Sequence, residues 1–201
     1  GGRGRRGRAW ASAPGKSLTF SVLLRPTLPP SALALLSLAA GLALREAVGL
    51  GGLKWPNDLL APDGRKLAGV LLEAQVSGEE VAYVLLGVGL NVLHDPGLPS
   101  EAAALAEFGG GSRAELLARF LGRLEARYTE LHRDPGGFLA DYKALSYTLG
   151  RPVRVGTPQG EVRGVATDIS PDGSLLVEVQ GQTCRIGAGD VELVGFVGGK
   201  K

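Results

Sequence analysis

Two long apolar segments in the middle of the chain constrain its fold more than any other feature. Residues 66–75 (KLAGVLLEAQ) and 80–92 (EVAYVLLGVGLNV) have nearly continuous apolar character, which predicts central strands of a sheet rather than edge strands. Ser77-Gly78 between them is typical of a tight turn. Residues 17–25 (SLTFSVLLR) have β-branched and aromatic residues at their centre and predict another strand.

The most apolar run predicts a buried helix. It extends from Ser31 to Leu44, which is 14 residues, whereas a membrane-spanning helix needs about 20. The leucine- and alanine-rich pattern continues to about Val48, where glycines end it. Ser31 is the expected N-cap of this helix.

A second helix is predicted by its amphipathic pattern over residues 112–132. Leucines and aromatic residues recur there at spacings of three and four, with arginine and glutamate between them. Ser112 is the expected N-cap, and Glu115 is its expected capping-box partner. A third helix is predicted over residues 138–149, before Gly150.

After Arg151 the pattern changes to short strands with tight turns, which predicts a small SH3-like β-barrel. Roughly five strand candidates follow within fewer than fifty residues, namely RPVRV, GEVRGVATDI, SLLVEV, QTCRIG and DVELV. The predicted domains are therefore 1–149 and 150–201.

Composition limits the classes of function that the chain can have. The net charge is only +2, so no general field for binding polyanions is expected. The single cysteine, Cys184, can form no disulfide within the chain, which fits a reducing compartment. His94 and His132 are expected on the surface, and the chain offers no Cys/His cluster for zinc. No secretory signal is recognised, so a soluble protein of the cytoplasm is expected.

The opening segment, GGRGRRGRAW, places fixed positive charge on a permissive backbone. Its glycines allow the main chain to approach a ligand closely, while Arg3, Arg5, Arg6 and Arg8 offer donor pairs suited to carboxylates and phosphates. Trp10 adds an aromatic surface on which a base could stack. The pattern predicts a loop that orders around an anionic ligand, but a nucleic-acid-binding arm or a solvated tail has the same composition.

Residues 54–58 (KWPND) are more specific. Glycines precede this segment and Leu59-Leu60 follow it, which predicts a strand end that projects Lys54 into a cleft. The ammonium group of Lys54 could there neutralise a carboxylate and a phosphate that are brought together, an effect of roughly 3–4 kcal/mol on the scale of oxyanion-hole donors.

The two segments also make the chain resemble the biotin protein ligases, because GRGRRGR-x-W, KWPNDLL, RKLAGVLLE and GVGLNV follow one another in that family's order. The resemblance runs from Gly2 to about Asn91 at motif level and continues more loosely beyond. It implies an α+β fold, with a mixed sheet and flanking helices like those of class II aminoacyl-tRNA synthetases, followed by the SH3-like barrel.

The resemblance implies a two-step, ATP-dependent reaction. The carboxylate of biotin attacks the α-phosphorus of Mg²⁺-bound ATP, which gives biotinyl-5′-AMP and pyrophosphate. A lysine of a biotin carboxyl carrier protein or domain then takes the biotinyl group and releases AMP. A homodimer is compatible with the resemblance, whereas binding to nucleic acid or to a membrane is not expected.

The resemblance also implies roles for individual residues. Lys54, Arg3 and Arg5 are the predicted catalytic residues, and Gly2 and Gly4 are expected to contact biotin or its adenylate together with them. The predicted nucleotide-binding residues are Trp10, Asn57 and Asn91, and Asp58 is the candidate ligand for Mg²⁺.

The sequence departs from the family pattern at its start. The Ser/Thr-rich stretch and the glutamine that normally precede the glycine-arginine loop are not in it. Two alternatives follow: an upstream segment is missing from the sequence, or the protein is a reduced form with an incomplete biotin pocket. It also has no N-terminal helix-turn-helix, so an operator-binding repressor is not predicted. Two alternative functions are a lipoate or octanoate ligase and a non-catalytic nucleic-acid-binding protein that uses the basic arm.

Overall fold

The computed structural model describes residues 2–7 and 9–195, without the side chains of Arg3 and Arg6. The described part of the chain contains these β-strands and α-helices, in chain order: β1 (Gly2–Arg3), β2 (Ala9–Trp10), β3 (Ser17–Leu24), α1 (Leu33–Val48), β4 (Gly52–Lys54), β5 (Asp58–Leu60), β6 (Lys66–Ser77), β7 (Glu80–Asn91), α2 (Arg113–Arg133), α3 (Pro135–Ala144), β8 (Pro152–Thr157), β9 (Gly160–Ile169), β10 (Leu175–Val179), β11 (Gln182–Ile186) and β12 (Asp190–Leu193).

The main sheet has five strands in the order β3-β7-β6-β5-β4. Its ladders are antiparallel, and two isolated parallel bridges, Leu53 with Ser146 and Lys66 with Ala102, add mixed pairing beside β4 and β6. The central hairpin was predicted and is confirmed, since β6 and β7 each have a strand on both sides. Gly78 makes the turn between them with φ of 61°, which glycine adopts easily.

Helix α1 packs in the core against the main sheet and α2. Residues Pro30–Val48 are long and apolar enough to span a membrane by length and composition, but 56% of that stretch is buried inside the fold. The predicted buried helix is therefore confirmed. Its predicted N-cap is wrong, because Pro30–Ala32 form a 3-10 turn and α1 begins only at Leu33. Gly49, with φ of 84°, ends the helix as expected.

Helix α2 matches its predicted span, but its capping box is not formed. The Ser112 carbonyl accepts the first helical hydrogen bond, from the Leu116 amide, whereas the Ser112 hydroxyl does not bond to the helix. Leu116, Phe120 and Leu124 are buried on the inner face, as the amphipathic pattern predicted.

Helix α3 ends at Ala144, five residues before its predicted end. The prediction is wrong because the backbone after the helix bonds to the edge strand β4. The Leu53 amide donates to the Leu145 carbonyl (2.8 Å), and the Tyr147 amide donates to the Leu53 carbonyl (2.7 Å). Asp134 caps the other end of the helix, where its carboxylate accepts from the Gly137 amide (2.9 Å).

The C-terminal strands form a second five-stranded sheet in the order β11-β10-β9-β8-β12, with antiparallel ladders throughout. The five predicted short strands are confirmed, and the architecture is consistent with an SH3-like barrel. Its inner face buries small aliphatic residues, among them Val155, Ala166 and Val177. Cys184 is half-buried in β11, as a late strand position predicted.

Candidate active site

A cavity of about 660 Å³ lies over one face of the main sheet, within the size range of small-molecule sites. The cavity is lined by the predicted site glycines and by the predicted site residues whose side chains the structure describes: Gly2, Gly4, Arg5, Trp10, Lys54, Asn57, Asp58 and Asn91. The side chains of Arg3 and Arg6, and all of Arg8, lie outside the described residues. For Arg3 the structure gives only the backbone, which pairs with Ala9.

Glycines form part of the cavity floor where β6 and β7 pair. Gly69 lies opposite Gly89, and Leu71 lies opposite Gly87. The Trp10 ring lies directly against Gly89, where an added Cβ would be 2.6 Å from Trp10 Cε2. Only a residue without a side chain therefore allows the ring to occupy this place.

Lys54, Asp58 and Lys66 form a charged group at one wall of the cavity. Lys54 and Asp58 are cross-strand partners, because β4 and β5 are the arms of one hairpin. Asp58 Oδ2 lies 3.8 Å from Lys54 Nζ, and Asp58 Oδ1 lies 2.7 Å from Lys66 Nζ. The Asp58 side chain is only 13% exposed, so a nearly buried carboxylate holds two ammonium groups close together.

Lys66 was not among the predicted site residues. Its Nζ also lies 5.7 Å from the centroid of the Trp10 ring, within the range of a cation–π contact. The sequence did contain a signal that Lys66 belongs to the site, since Lys66 is the first residue of a central strand and lies within the RKLAG motif. A charged residue where a buried strand begins stands at the rim of the sheet, where ligands bind.

The hairpin turn after Lys54 is held from two directions. Trp55 is 1% exposed. Its amide donates to Thr148 Oγ1 and its indole Nε1 donates to the Gly173 carbonyl, both at 2.9 Å. Asn57 is fixed on β6, where its Nδ2 donates to the Val70 carbonyl (2.9 Å). Trp55 is thus a core residue that anchors the turn carrying Lys54.

Arg5 links the glycine-arginine loop to both parts of the fold. Its Nη1 donates to Asn57 Oδ1 (3.2 Å) and to the Gly189 carbonyl (3.0 Å), and lies 3.4 Å from Asp190 Oδ1. The guanidinium therefore bridges the KWPND turn and the start of β12.

Three buried polar atoms beside the cavity have no hydrogen-bond partner within the described residues, namely Asp58 Oδ1, Asn91 Oδ1 and Trp10 Nε1. Asp58 Oδ1 has the ion-pair contact with Lys66, so Asn91 Oδ1 and Trp10 Nε1 are the two without a polar contact. Asn91 is 2% exposed and uses its Nδ2 to donate to the Ala103 carbonyl (3.2 Å). A buried polar atom left unpaired costs about 1–3 kcal/mol. One free acceptor and one free donor thus favour a ligand that carries both kinds of group.

A segment around residues 99–107 forms the wall beside Asn91 and Lys66. The Lys66 amide donates to the Glu101 carbonyl (2.7 Å), and the Ala103 amide donates to the Lys66 carbonyl (2.9 Å). Arg65 fixes this segment through its contact with Glu107, with Nη2 2.6 Å from Oε2. The pKa of Glu107 is lowered, first by the hydrogen bond from the Ala104 amide and then by Arg65.

We expect the Arg65→Gln substitution to loosen this wall. The amide of Ala103 should exchange its hydrogen about 5- to 30-fold faster, which corresponds to about 1–2 kcal/mol of local opening free energy. Hydrogen exchange followed by NMR measures this effect. Arg163→Gln, which removes an exposed ion pair with Glu161 on β9, is the matched control. An unchanged rate at Ala103 would show that Arg65 does not hold the wall.

Within the described residues, no group of three or more His, Cys, Asp or Glu side chains could hold a metal ion. Asp58, the predicted Mg²⁺ ligand, is paired with two lysines, and these compete with a cation for its oxygens. His94 and His132 are exposed, as predicted.

Comparisons with known proteins define the class to which this fold and cavity belong. Residues 1–91 match the Biotin/lipoate A/B protein ligase family, and residues 148–194 match the Biotin protein ligase C terminal domain. The chain is 41% identical to the biotin--[acetyl-CoA-carboxylase] ligase of Mycobacterium tuberculosis, over 94% of this chain and 74% of that one. The chain therefore belongs to the biotin protein ligase family.

Two further relatives show the extent of the similarity. The bifunctional ligase/repressor BirA of Bacillus subtilis is 33% identical over 96% of this chain, which spans 63% of the relative's length. The structure of the biotin protein ligase from Aquifex aeolicus in complex with biotin and ATP superposes with a TM-score of 0.79. It is 29% identical, and the match covers 95% of this chain and 83% of that one.

Proposed function

We propose that this chain is an ATP-dependent biotin protein ligase. In the first step, a carboxylate oxygen of biotin attacks the α-phosphorus of ATP, and pyrophosphate leaves to give biotinyl-5′-AMP. In the second step, a neutral lysine amine of a carrier protein attacks the biotinyl carbonyl carbon. The bond from that carbon to the phosphate oxygen breaks, AMP leaves, and the nitrogen loses one proton.

One observation supports this proposal above the others. A single cavity places Arg5, Lys54 and Lys66 beside a floor of glycines and two unpaired buried polar atoms. Both reacting groups of the first step are anions, so their approach needs several fixed positive charges in one cleft. The cavity offers these charges next to a place where a base could bind.

The positive groups have separate roles in this proposal. Arg3 and Arg5, with the backbone of Gly2 and Gly4, wrap the biotin carboxylate and the phosphates. Lys54 contacts both the carboxylate and the α-phosphate. Lys66 joins it from β6, because Asp58 holds the two ammonium groups near each other.

The adenine base is assigned to the end of the cavity near Trp10 and Asn91. The adenine edge carries an amino donor, which suits the unpaired Asn91 Oδ1 acceptor. The Trp10 ring adds a stacking surface. Asn57 acts on the nucleotide indirectly in this proposal, because its Oδ1 accepts a hydrogen bond from Arg5.

Mg²⁺ is proposed to arrive as the counter-ion of the ATP phosphates rather than on a preformed protein site. Asp58 remains the carboxylate nearest to the two lysines, so it could contact the ion only if a lysine turned toward the nucleotide. For this reason we assign Asp58 chiefly to the positioning of Lys54 and Lys66.

The remaining assignments are proposals. The protein partner is proposed to be a biotin carboxyl carrier protein or domain, the compartment is the cytoplasm, and a homodimer is the proposed assembly. We also propose that the chain is divided into a catalytic domain, residues 1–149, and a C-terminal domain, residues 150–201, with the boundary at Gly150, between helix α3 and strand β8.

Pyrophosphate exchange tests the proposed function. The purified chain should incorporate labelled pyrophosphate into ATP when biotin is present, and much less when lipoate replaces it. Exchange with lipoate at an equal rate would favour the lipoate ligase instead. Absence of exchange, together with salt-sensitive oligonucleotide binding that is lost when residues 1–8 are removed, would favour the nucleic-acid-binding alternative.

A further inference from the structure

A second, smaller cavity of about 190 Å³ lies behind Arg5. Its walls come from helix α1, through Ala34 and Ser37, and from loops between the C-terminal strands, through Gly173, Gly187 and Ala188. We call this cavity the α1 slot.

The α1 slot shares a wall with the main cavity. Arg5, Trp55, Asn57 and Val70 line both of them. The hydrogen bond from Arg5 to Asn57 Oδ1, 3.2 Å long, lies in this shared wall. If Arg5 turns its guanidinium toward an anionic ligand, as proposed above, this hydrogen bond is released and the shared wall loses one of its contacts.

The two ends of the α1 slot differ in exposure. Gly187 and Ala188 are exposed, whereas Trp55 and Val70 are 1% and 2% exposed. The slot therefore lies between exposed residues of the C-terminal loops and the wall that it shares with the main cavity.

The size of the α1 slot excludes large ligands. The four methylenes and the nitrogen of a lysine side chain, at about 30 Å³ each, need about 150 Å³, which fits 190 Å³. A nucleotide or a bicyclic vitamin does not fit.

The chemistry of the α1 slot also suits an amine. Leu33 and Leu38 give apolar surface along its length, which matches a methylene stem. Arg5 at the inner end carries a fixed positive charge, which disfavours an ammonium group and favours the neutral amine, the form that attacks a carbonyl carbon.

We propose that the α1 slot admits the acceptor lysine of the carrier protein to the biotinyl-adenylate. This inference rests on the proposed function, because it concerns only the second step. The amine nitrogen reaches the carbonyl carbon from the Arg5 side, while the adenylate occupies the main cavity, and AMP leaves through the main cavity after the carbon–oxygen bond breaks.

Substitutions in the two walls test the α1 slot. Ala188→Leu, and Ser37→Leu on the opposite wall, should each lower transfer from preformed biotinyl-5′-AMP at least tenfold relative to biotin-dependent pyrophosphate exchange. Transfer is measured both to a biotin carboxyl carrier domain and to n-butylamine, which has the stem and amine of lysine but no docking surface. Ala114→Leu, at an exposed position in the first turn of α2, is the matched control.

A tenfold loss with both acceptors in either folded variant supports the α1 slot. Unchanged aminolysis by n-butylamine would overturn it, even if transfer to the carrier domain fell, because the substitution would then have affected docking alone. Failure of the unsubstituted chain to exchange pyrophosphate would instead contradict the proposed function, so the two failures are distinguishable.

Discussion

Replacement of Lys54 by alanine is expected to lower the rate of biotin-dependent pyrophosphate exchange about 10²- to 10³-fold. This is the effect of removing one preorganised group that stabilises developing charge, roughly 3–4 kcal/mol. Lys66→Ala is expected to have an effect of the same order, because both ammonium groups lie within 4 Å of the Asp58 carboxylate. Exchange rates at saturating biotin and ATP measure both effects.

The control for these substitutions is Lys143→Ala. Lys143 pairs with Asp168 at 2.6 Å and does not line the cavity, so its loss should leave exchange within about twofold. Circular dichroism should show the same fold in the three variants. Exchange at the unsubstituted rate in Lys54→Ala would exclude the role proposed for this lysine, whatever the result for Lys66.

Gly89→Ala is expected to displace Trp10 from the cavity floor. The new Cβ would be 2.6 Å from the indole ring, and overpacking of this kind costs about 1–3 kcal/mol. If Trp10 stacks on the base, the KM for ATP in the exchange reaction should rise roughly 5- to 150-fold, the factor that corresponds to this energy. The maximum rate should change much less.

Gly87→Ala serves as the comparison for the position of Trp10. A Cβ at Gly87 would lie 3.6 Å from its nearest neighbour, an ordinary contact, so the Trp10 emission should not change. In Gly89→Ala the emission should shift, because the ring leaves its half-buried place. A KM for ATP that is unchanged despite a shifted emission would argue against base stacking on Trp10.

The sequence allowed prediction of the central strands and helices because their signals are local. Apolar continuity in residues 66–92 and the three-and-four spacing in α2 depend only on neighbouring residues. The end of α3 and the cap of α2 could not be predicted in this way. The segment after Ala144 bonds to Leu53, more than ninety residues earlier, and this tertiary pairing outweighs helix propensity.

In the candidate site, too, some features had local sequence signals and others depended on tertiary contacts. Trp10, Lys54 and Asn91 were found from motif residues, and the structure places them in one cavity. Two features were not accessible from sequence, namely the role of Trp55 as an anchor and the contact of Arg5 with Gly189. Both depend on carbonyl groups in loops between the C-terminal strands, 118 and 184 positions away along the chain.

Because of these long-range bonds, the candidate site cannot be completed until the C-terminal strands have been synthesised. Lys54 is synthesised before the C-terminal strands, and the carbonyl of Gly173 that holds the neighbouring indole is made 118 residues after Trp55. The start of β12, which contacts Arg5, is made later still. A nascent chain therefore carries the reactive lysine long before the groups that orient it exist, and the catalytic apparatus is completed only after β12 has been made.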